Sequence, residues 1–108
     1  FITPSPYLIE GLGDEFLINC VDFSLIDDIY RVEDIEAFRM ARKLAFKEAI
    51  FAGGSSGAAL WASMQLAKKI DSKARIVTVF SDTATRYLST IYNDKWLLEK
   101  VGLDIKSL

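Results

Sequence analysis

Between residues 50 and 60 an apolar triplet, Ile50-Phe51-Ala52, runs into Gly53-Gly54-Ser55-Ser56-Gly57 and then into Ala58-Ala59-Leu60, where the apolar spacing turns helical. Adjacent glycines followed by hydroxyl side chains leave few options: the backbone turns tightly, and the helix that follows presents its free N–H groups to whatever lies in front of it. A second junction of the same kind follows the β-branched run Ile76-Val77-Thr78-Val79-Phe80, which breaks at Ser81-Asp82-Thr83. Two strand-to-helix loops at strand carboxyl ends predict a single crevice, because open α/β sheets bind ligands outside those ends.

The flanking sequence predicts an α/β layered architecture of short parallel strands and amphipathic helices. Strands are expected at Tyr7 to Glu10, Asp28 to Val32, Ile50 to Ala52 and Arg75 to Phe80. The last is apolar apart from Thr78, as befits a parallel strand covered on both faces. Helices are expected from Ile35 to Ala49 with Asp34 as N-cap, from Ser56 to Ile70 ending in the solvated Lys68-Lys69, from Thr83 to Thr90, and from Asp94 to Val101. Gly11 and Gly13 in Glu10-Gly11-Leu12-Gly13-Asp14 imply a tight or close-approach backbone. They do not make a dinucleotide fingerprint, since Phe16 stands at the third glycine position.

Length and charge narrow the function. A chain of 108 residues is at most one domain, and its net charge of −2 with no basic cluster argues against a nucleic-acid partner. No apolar run reaches the roughly 20 residues of a membrane helix. The single Cys20 is read as a buried thiol in a reducing, cytoplasmic setting. Phe1-Ile2-Thr3-Pro4 has neither an initiator Met nor a signal-peptide pattern, so a piece of a longer chain is expected. No metal site is expected, as there is no His and only one Cys.

Gly53, Ser55 and Gly57 also satisfy G-x-S-x-G between strand and helix, the form of a hydrolase nucleophile elbow with Ser55 as nucleophile. That chemistry needs a base downstream of the serine, and the sequence contains no His. The loop likewise lacks the spacing and lysine of a P-loop. Two readings of the residues themselves stay open: hydroxyls of Ser55 and Ser56 donating to a bound heteroatom, or the same serines only capping a helix in a non-catalytic α/β interaction domain.

Five segments in order carry a resemblance: Tyr7 to Phe16, Asp22-Phe23-Ser24-Leu25-Ile26-Asp27, Glu36-Ala37-Phe38 with Ala41-Arg42, Gly53 to Ala59, and Thr85 to Trp96. Together they resemble the carboxyl-terminal part of the catalytic domain of the cystathionine β-synthase and cysteine synthase family of pyridoxal-phosphate enzymes, over almost the whole chain. The resemblance implies a large-domain portion of a fold-type II enzyme, spanning residues 1–108. It also implies pyridoxal 5'-phosphate as cofactor, an amino-acid substrate, a thiol or sulfide nucleophile and a homodimer. It places Ser55 on the pyridine nitrogen, with Gly54 in the same turn, Asp82 near the pyridine end, and Gly11 and Gly13 against the substrate side. For Asp82 a plain N-cap is the alternative. A neutral hydroxyl donates to an unprotonated ring nitrogen but does not hold a pyridinium as a carboxylate would, which suits replacement at the β-carbon of a serine-type substrate.

By the same resemblance, the Schiff-base lysine, the substrate-carboxylate loop and the phosphate cup belong upstream. None of the chain's lysines matches the Schiff-base motif, so no residue is assigned a catalytic role and the chain alone is expected to be inert. The acidic Glu10 to Phe16 segment looks more like cystathionine β-synthases than cysteine synthases. The family pattern usually has proline at Ile18, glycine at Ala49, and Pro-Asp-Ser-Gly where this chain reads Ser81-Asp82-Thr83-Ala84. The last difference implies an altered or already helical loop at Ala84.

Overall fold

A computed structural model describes residues 6–13, 16 and 18–108. The opening Phe1-Ile2-Thr3-Pro4 and the Asp14-Glu15 pair of the first family segment lie outside the described residues. Three helices form the frame: α1 (Asp34–Glu48), α2 (Gly54–Ala67) and α3 (Asp94–Val101). Short 3-10 turns lie at Phe23–Leu25, Ala84–Tyr87 and Ile105–Ser107.

Helix α1 begins one residue earlier than expected, and Glu33 is its N-cap without a side-chain bond. Asp34 does a different job from the one predicted. Its carboxylate accepts from the backbone N–H of Leu8 at 2.7 Å and of Ile9 at 3.3 Å, tying the amino-terminal arm to the start of the helix. Tyr7 to Glu10 therefore runs beside α1 as an irregular segment rather than as a strand. At its other end α1 closes on Ala49 in the left-handed region, φ 54°.

Helices α1 and α2 pack with their backbones nearly touching. A Cβ on Gly57 would lie 2.0 Å from the Ala37 carbonyl oxygen and 2.9 Å from the Ala41 nitrogen, so only glycine fits. Phe38, Ala37 and Ala41 then fill the core with Ala58, Ile91, Leu97 and Leu103. Trp61 on α2 donates to the Glu36 carboxylate on α1 at 3.1 Å. Helix α2 spans Gly54–Ala67, shifted towards the amino terminus relative to the Ser56 to Ile70 expectation. Helix α3 has the predicted bounds: Asn93 accepts from the Trp96 N–H at 3.1 Å, and Gly102 ends it at φ 69°.

Arg42 locks α1 to α3. Its side chain is buried, donates to the Ile91 carbonyl at 3.2 Å and to Asp94 Oδ1 at 2.8 Å, and lies over the Phe46 and Tyr92 rings. The cation carries its own set of partners into the core, as a buried guanidinium requires.

The parallel sheet is not present. Among the described residues there is no β-strand, and the pairing between the two junctions is an isolated antiparallel bridge, Ala52 with Thr83, beside an Ala84 N–H to Phe51 carbonyl bond of 3.3 Å. Arg75 to Phe80, Ile50 to Ala52 and Asp28 to Val32 all lack ladder partners. A parallel strand draws its hydrogen bonds from neighbouring strands, and the described residues supply none beside Arg75 to Phe80. Val77 and Val79 are accordingly 84% and 76% exposed. The expected Thr83 to Thr90 helix is only the 3-10 turn Ala84–Tyr87. Ala84 begins that turn and does not take a positive φ, as the helical alternative for this loop anticipates. Cys20 is exposed rather than buried.

Candidate functional site

The glycine-serine turn is shaped by what its glycines avoid. At Gly53, the N-cap of α2, a Cβ would fall 2.1 Å from Asp82 Oδ1 and 2.6 Å from the Tyr87 ring. At Gly54 it would meet the Phe38 ring at 3.0 Å and Ile91 at 3.2 Å, so this residue turns its side-chain position towards the core. Two missing side chains thus let the turn sit between the second junction and α1. The first helical bond of α2, Gly57 N–H to Gly53 carbonyl, is 3.1 Å.

The serines that follow diverge. Ser56 is fully buried, and its hydroxyl has no partner among the described residues, so it is not presented to a ligand as the sequence implied. Ser55 is half-buried and lines an open cleft of about 720 Å³. Ala58, Ala59 and Ala62 form one wall of the cleft, successive small residues on the same face of α2, and Gly13 with Tyr7 stands on another. The Ser55 Oγ lies 3.0 Å from the Ser81 Oγ. The structure therefore brings Ser55 and Gly13 to one cleft and sets a second hydroxyl against Ser55, a contact that sequence spacing did not reveal.

Gly11 and Gly13 both sit at φ 78°, as their sequence context anticipates. The Tyr7 hydroxyl donates to the Gly13 carbonyl and fixes the loop. Gly13 lines the cleft and Gly11 does not. Among the described residues, no lysine lines the cleft.

Asp82 is turned away from the cleft. Its Oδ2 accepts from the Tyr87 hydroxyl at 2.6 Å, while Oδ1 is buried against Gly53 with no partner among the described residues. Nor is it an N-cap, for Thr83 holds that position ahead of Ala84–Tyr87. The carboxylate that accepts the phenol's proton in hydrogen bonding, then burial and the Asp82 charge, push the Tyr87 hydroxyl up to about 12. Tyr92 is raised too, by burial, as it donates to the Ala52 carbonyl at 2.8 Å. Tyr92 thereby holds the residue that leads into the glycine-serine turn, and Tyr87 holds Asp82 against Gly53. Sequence reading missed these contacts, although both tyrosines lie in the Thr85 to Trp96 segment.

The donor set fits an aromatic heterocycle with a single acceptor nitrogen. One neutral, half-buried hydroxyl sits in the first turn of a 14-residue helix, above a wall of methyl groups, with no charged side chain hydrogen-bonded to it. Polar recognition at one point beside an apolar wall is how such rings are held, and Asp28, Arg31, Glu33 and Asp34 line the same cleft.

A family model described as pyridoxal-phosphate dependent enzyme matches residues 2–82. The O-acetylserine dependent cystathionine beta-synthase of Bacillus subtilis (strain 168) is 45% identical over 86 residues, 80% of this chain and 28% of that protein. The cystathionine beta-synthase of Dictyostelium discoideum is 34% identical over 102 residues, 94% of this chain and 20% of its own length. A solved O-ureido-L-serine synthase superposes with a TM-score of 0.77 at 34% identity, over 90% of this chain and 29% of that one. The chain thus spans less than a third of each of these relatives.

Proposed function

The chain belongs to the pyridoxal-phosphate dependent enzyme family, and on that premise we propose that it is the carboxyl-terminal portion of the catalytic domain of a cystathionine β-synthase-like enzyme. The proposed reaction replaces the β-substituent of serine or an activated serine with the sulfur of homocysteine. The Glu10 to Phe16 segment and the relatives' names favour this over a cysteine synthase using sulfide. A homodimeric, cytoplasmic parent is part of the same proposal. When bound, the cofactor supplies an electron sink for bonds at the substrate α-carbon.

This chain's share of the chemistry is to bind and orient. Ser55 would hydrogen-bond the ring nitrogen through its hydroxyl, leaving that nitrogen a neutral acceptor. The alanines of α2, which line the cleft beside Ser55, would exclude water from one side of a bound ring, and the Gly13 loop, held by Tyr7, would wall the substrate side. Asp82 acts on the site indirectly, by holding Tyr87 and filling the space that Gly53 leaves. A nucleophilic role for Ser55 finds no support, because its hydrogen-bond partner is another hydroxyl and not a base.

The observation that carries the proposal is the Ser55 hydroxyl, presented to a cleft that it shares with Gly13. In the full-length protein, Ser55→Ala removes one neutral hydrogen bond and weakens cofactor binding by about 0.5–1.5 kcal/mol. Ser55→Asp instead favours a pyridinium and shifts the cofactor's absorbance. Unchanged affinity and spectrum in both variants would remove Ser55 from the site.

A further inference from the structure

Ser81 is an exposed hydroxyl set against Ser55 from the second junction, and it stands where the pattern this chain resembles has proline, a residue with no hydroxyl to give. Its Oγ is 3.0 Å from Ser55 Oγ. We propose that Ser81 is a positioning residue for Ser55: its hydroxyl donates to Ser55 Oγ and so directs and strengthens the hydrogen bond that Ser55 gives to the cofactor's ring nitrogen. The inference rests on the reading of Ser55 given above.

The argument is one of proton counting. Each serine hydroxyl has one hydrogen and two lone pairs, and an unprotonated ring nitrogen only accepts. With the Ser55 hydrogen committed to the ring, the hydrogen between the two oxygens must come from Ser81. Accepting that bond polarises the Ser55 O–H, so the two bonds reinforce each other. The neighbouring carboxylate is directed elsewhere: Asp82 Oδ2 accepts from Tyr87 and Oδ1 is buried against Gly53. The spacing is also independent of the serines themselves. The Ala52 to Thr83 bridge, the Ala84 N–H to Phe51 carbonyl bond and the Tyr92 hydroxyl on the Ala52 carbonyl hold the two loops together.

The test is nitrogen-15 magnetic resonance of the full-length holoprotein reconstituted with pyridoxal phosphate labelled at the ring nitrogen, together with cofactor titration. Ser55→Ala should move the resonance to the position of a pyridine without a hydrogen-bond donor. Ser81→Ala should move it part of the way and weaken cofactor affinity by about twofold to threefold, the scale of a partial loss of one hydrogen bond. Ser81→Thr, which keeps the hydroxyl, should restore both. A shift in Ser55→Ala with none in Ser81→Ala overturns the role of Ser81 and leaves the site intact. Equal shifts in Ser81→Ala and Ser81→Thr overturn it as well, since loop geometry rather than the hydroxyl would then be responsible. No shift in either Ser55→Ala or Ser81→Ala overturns the reading of Ser55 and the inference with it.

Discussion

The α1–α2 pair and the segment from Arg75 to Phe80 are both rich in apolar residues, yet one forms a packed core and the other lies in water. Helices close their backbone hydrogen bonds internally, so α1 and α2 need only one shared apolar face. Gly57 gives them that face by letting the backbones meet. Arg75 to Phe80 has the composition of a central strand, but a strand's donors and acceptors are satisfied by other strands. With none of those among the described residues of this chain, which spans less than a third of its relatives, Val77 and Val79 are exposed. Apolar content alone therefore does not determine burial; the location of the hydrogen-bond partners does.

The sharpest way to break this comparison is to deny the helices their contact. Gly57→Ala drives a methyl group into the Ala37 carbonyl and should destabilise the chain by about 3 kcal/mol or more. Denaturant unfolding measures it, and a loss below 1 kcal/mol would mean that the helices separate easily. Alkali should act next, and on the junction between the two regions. Because the Tyr87 hydroxyl is raised in the folded state from 10.0 to about 12, its stabilising contribution is whole below pH 10 and is lost as the pH rises towards 12. Tyr87→Phe should flatten that part of the alkaline decline, leaving the part due to Tyr92; an unchanged profile would detach Tyr87 from Asp82.

Two smaller effects sharpen the contrast. Ala49 ends α1 at φ 54°, whereas Gly102 ends α3 in the same conformation without a Cβ. Ala49→Gly should stabilise the chain by about 0.5–1 kcal/mol, seen as a higher midpoint with unchanged slope; destabilisation would show that Ala49 is unstrained. Val77→Ser should change stability by less than about 0.5 kcal/mol in the 108-residue chain, since the side chain it replaces is already in water. A larger loss would reveal that the segment is packed in solution.

Legibility follows the same division. Helix α3 was readable to its ends because Asn93 and Gly102 are local signals that a helix obeys wherever it sits. The left-handed glycines of the Glu10 to Asp14 loop were readable for the same reason. The strands were misread, since periodicity reports the side chains a strand would bury but not whether a neighbour is there to pair with. Asp34 was misassigned because its carboxylate chose two N–H groups 25 and 26 residues away over those of its own helix. The burial of Ser56, the Tyr87 to Asp82 bond and the approach of Ser81 to Ser55 are likewise tertiary facts. No window of sequence contains both partners of the Ser55 to Ser81 contact in recognisable form.

The bridge between Ala52 and Thr83 is made of main chain, and so are the acceptors that Ala84 and Tyr92 find at Phe51 and Ala52. The distance across the mouth of the turn is thus indifferent to which side chains stand at positions 55 and 81. Mutation can exchange a hydroxyl, a methyl or a ring there while the frame keeps its span. Such an arrangement separates architecture from reactivity, so that, on the reading of Ser55 proposed above, the electronic character of a bound ring could be retuned one residue at a time without first rebuilding the fold around it.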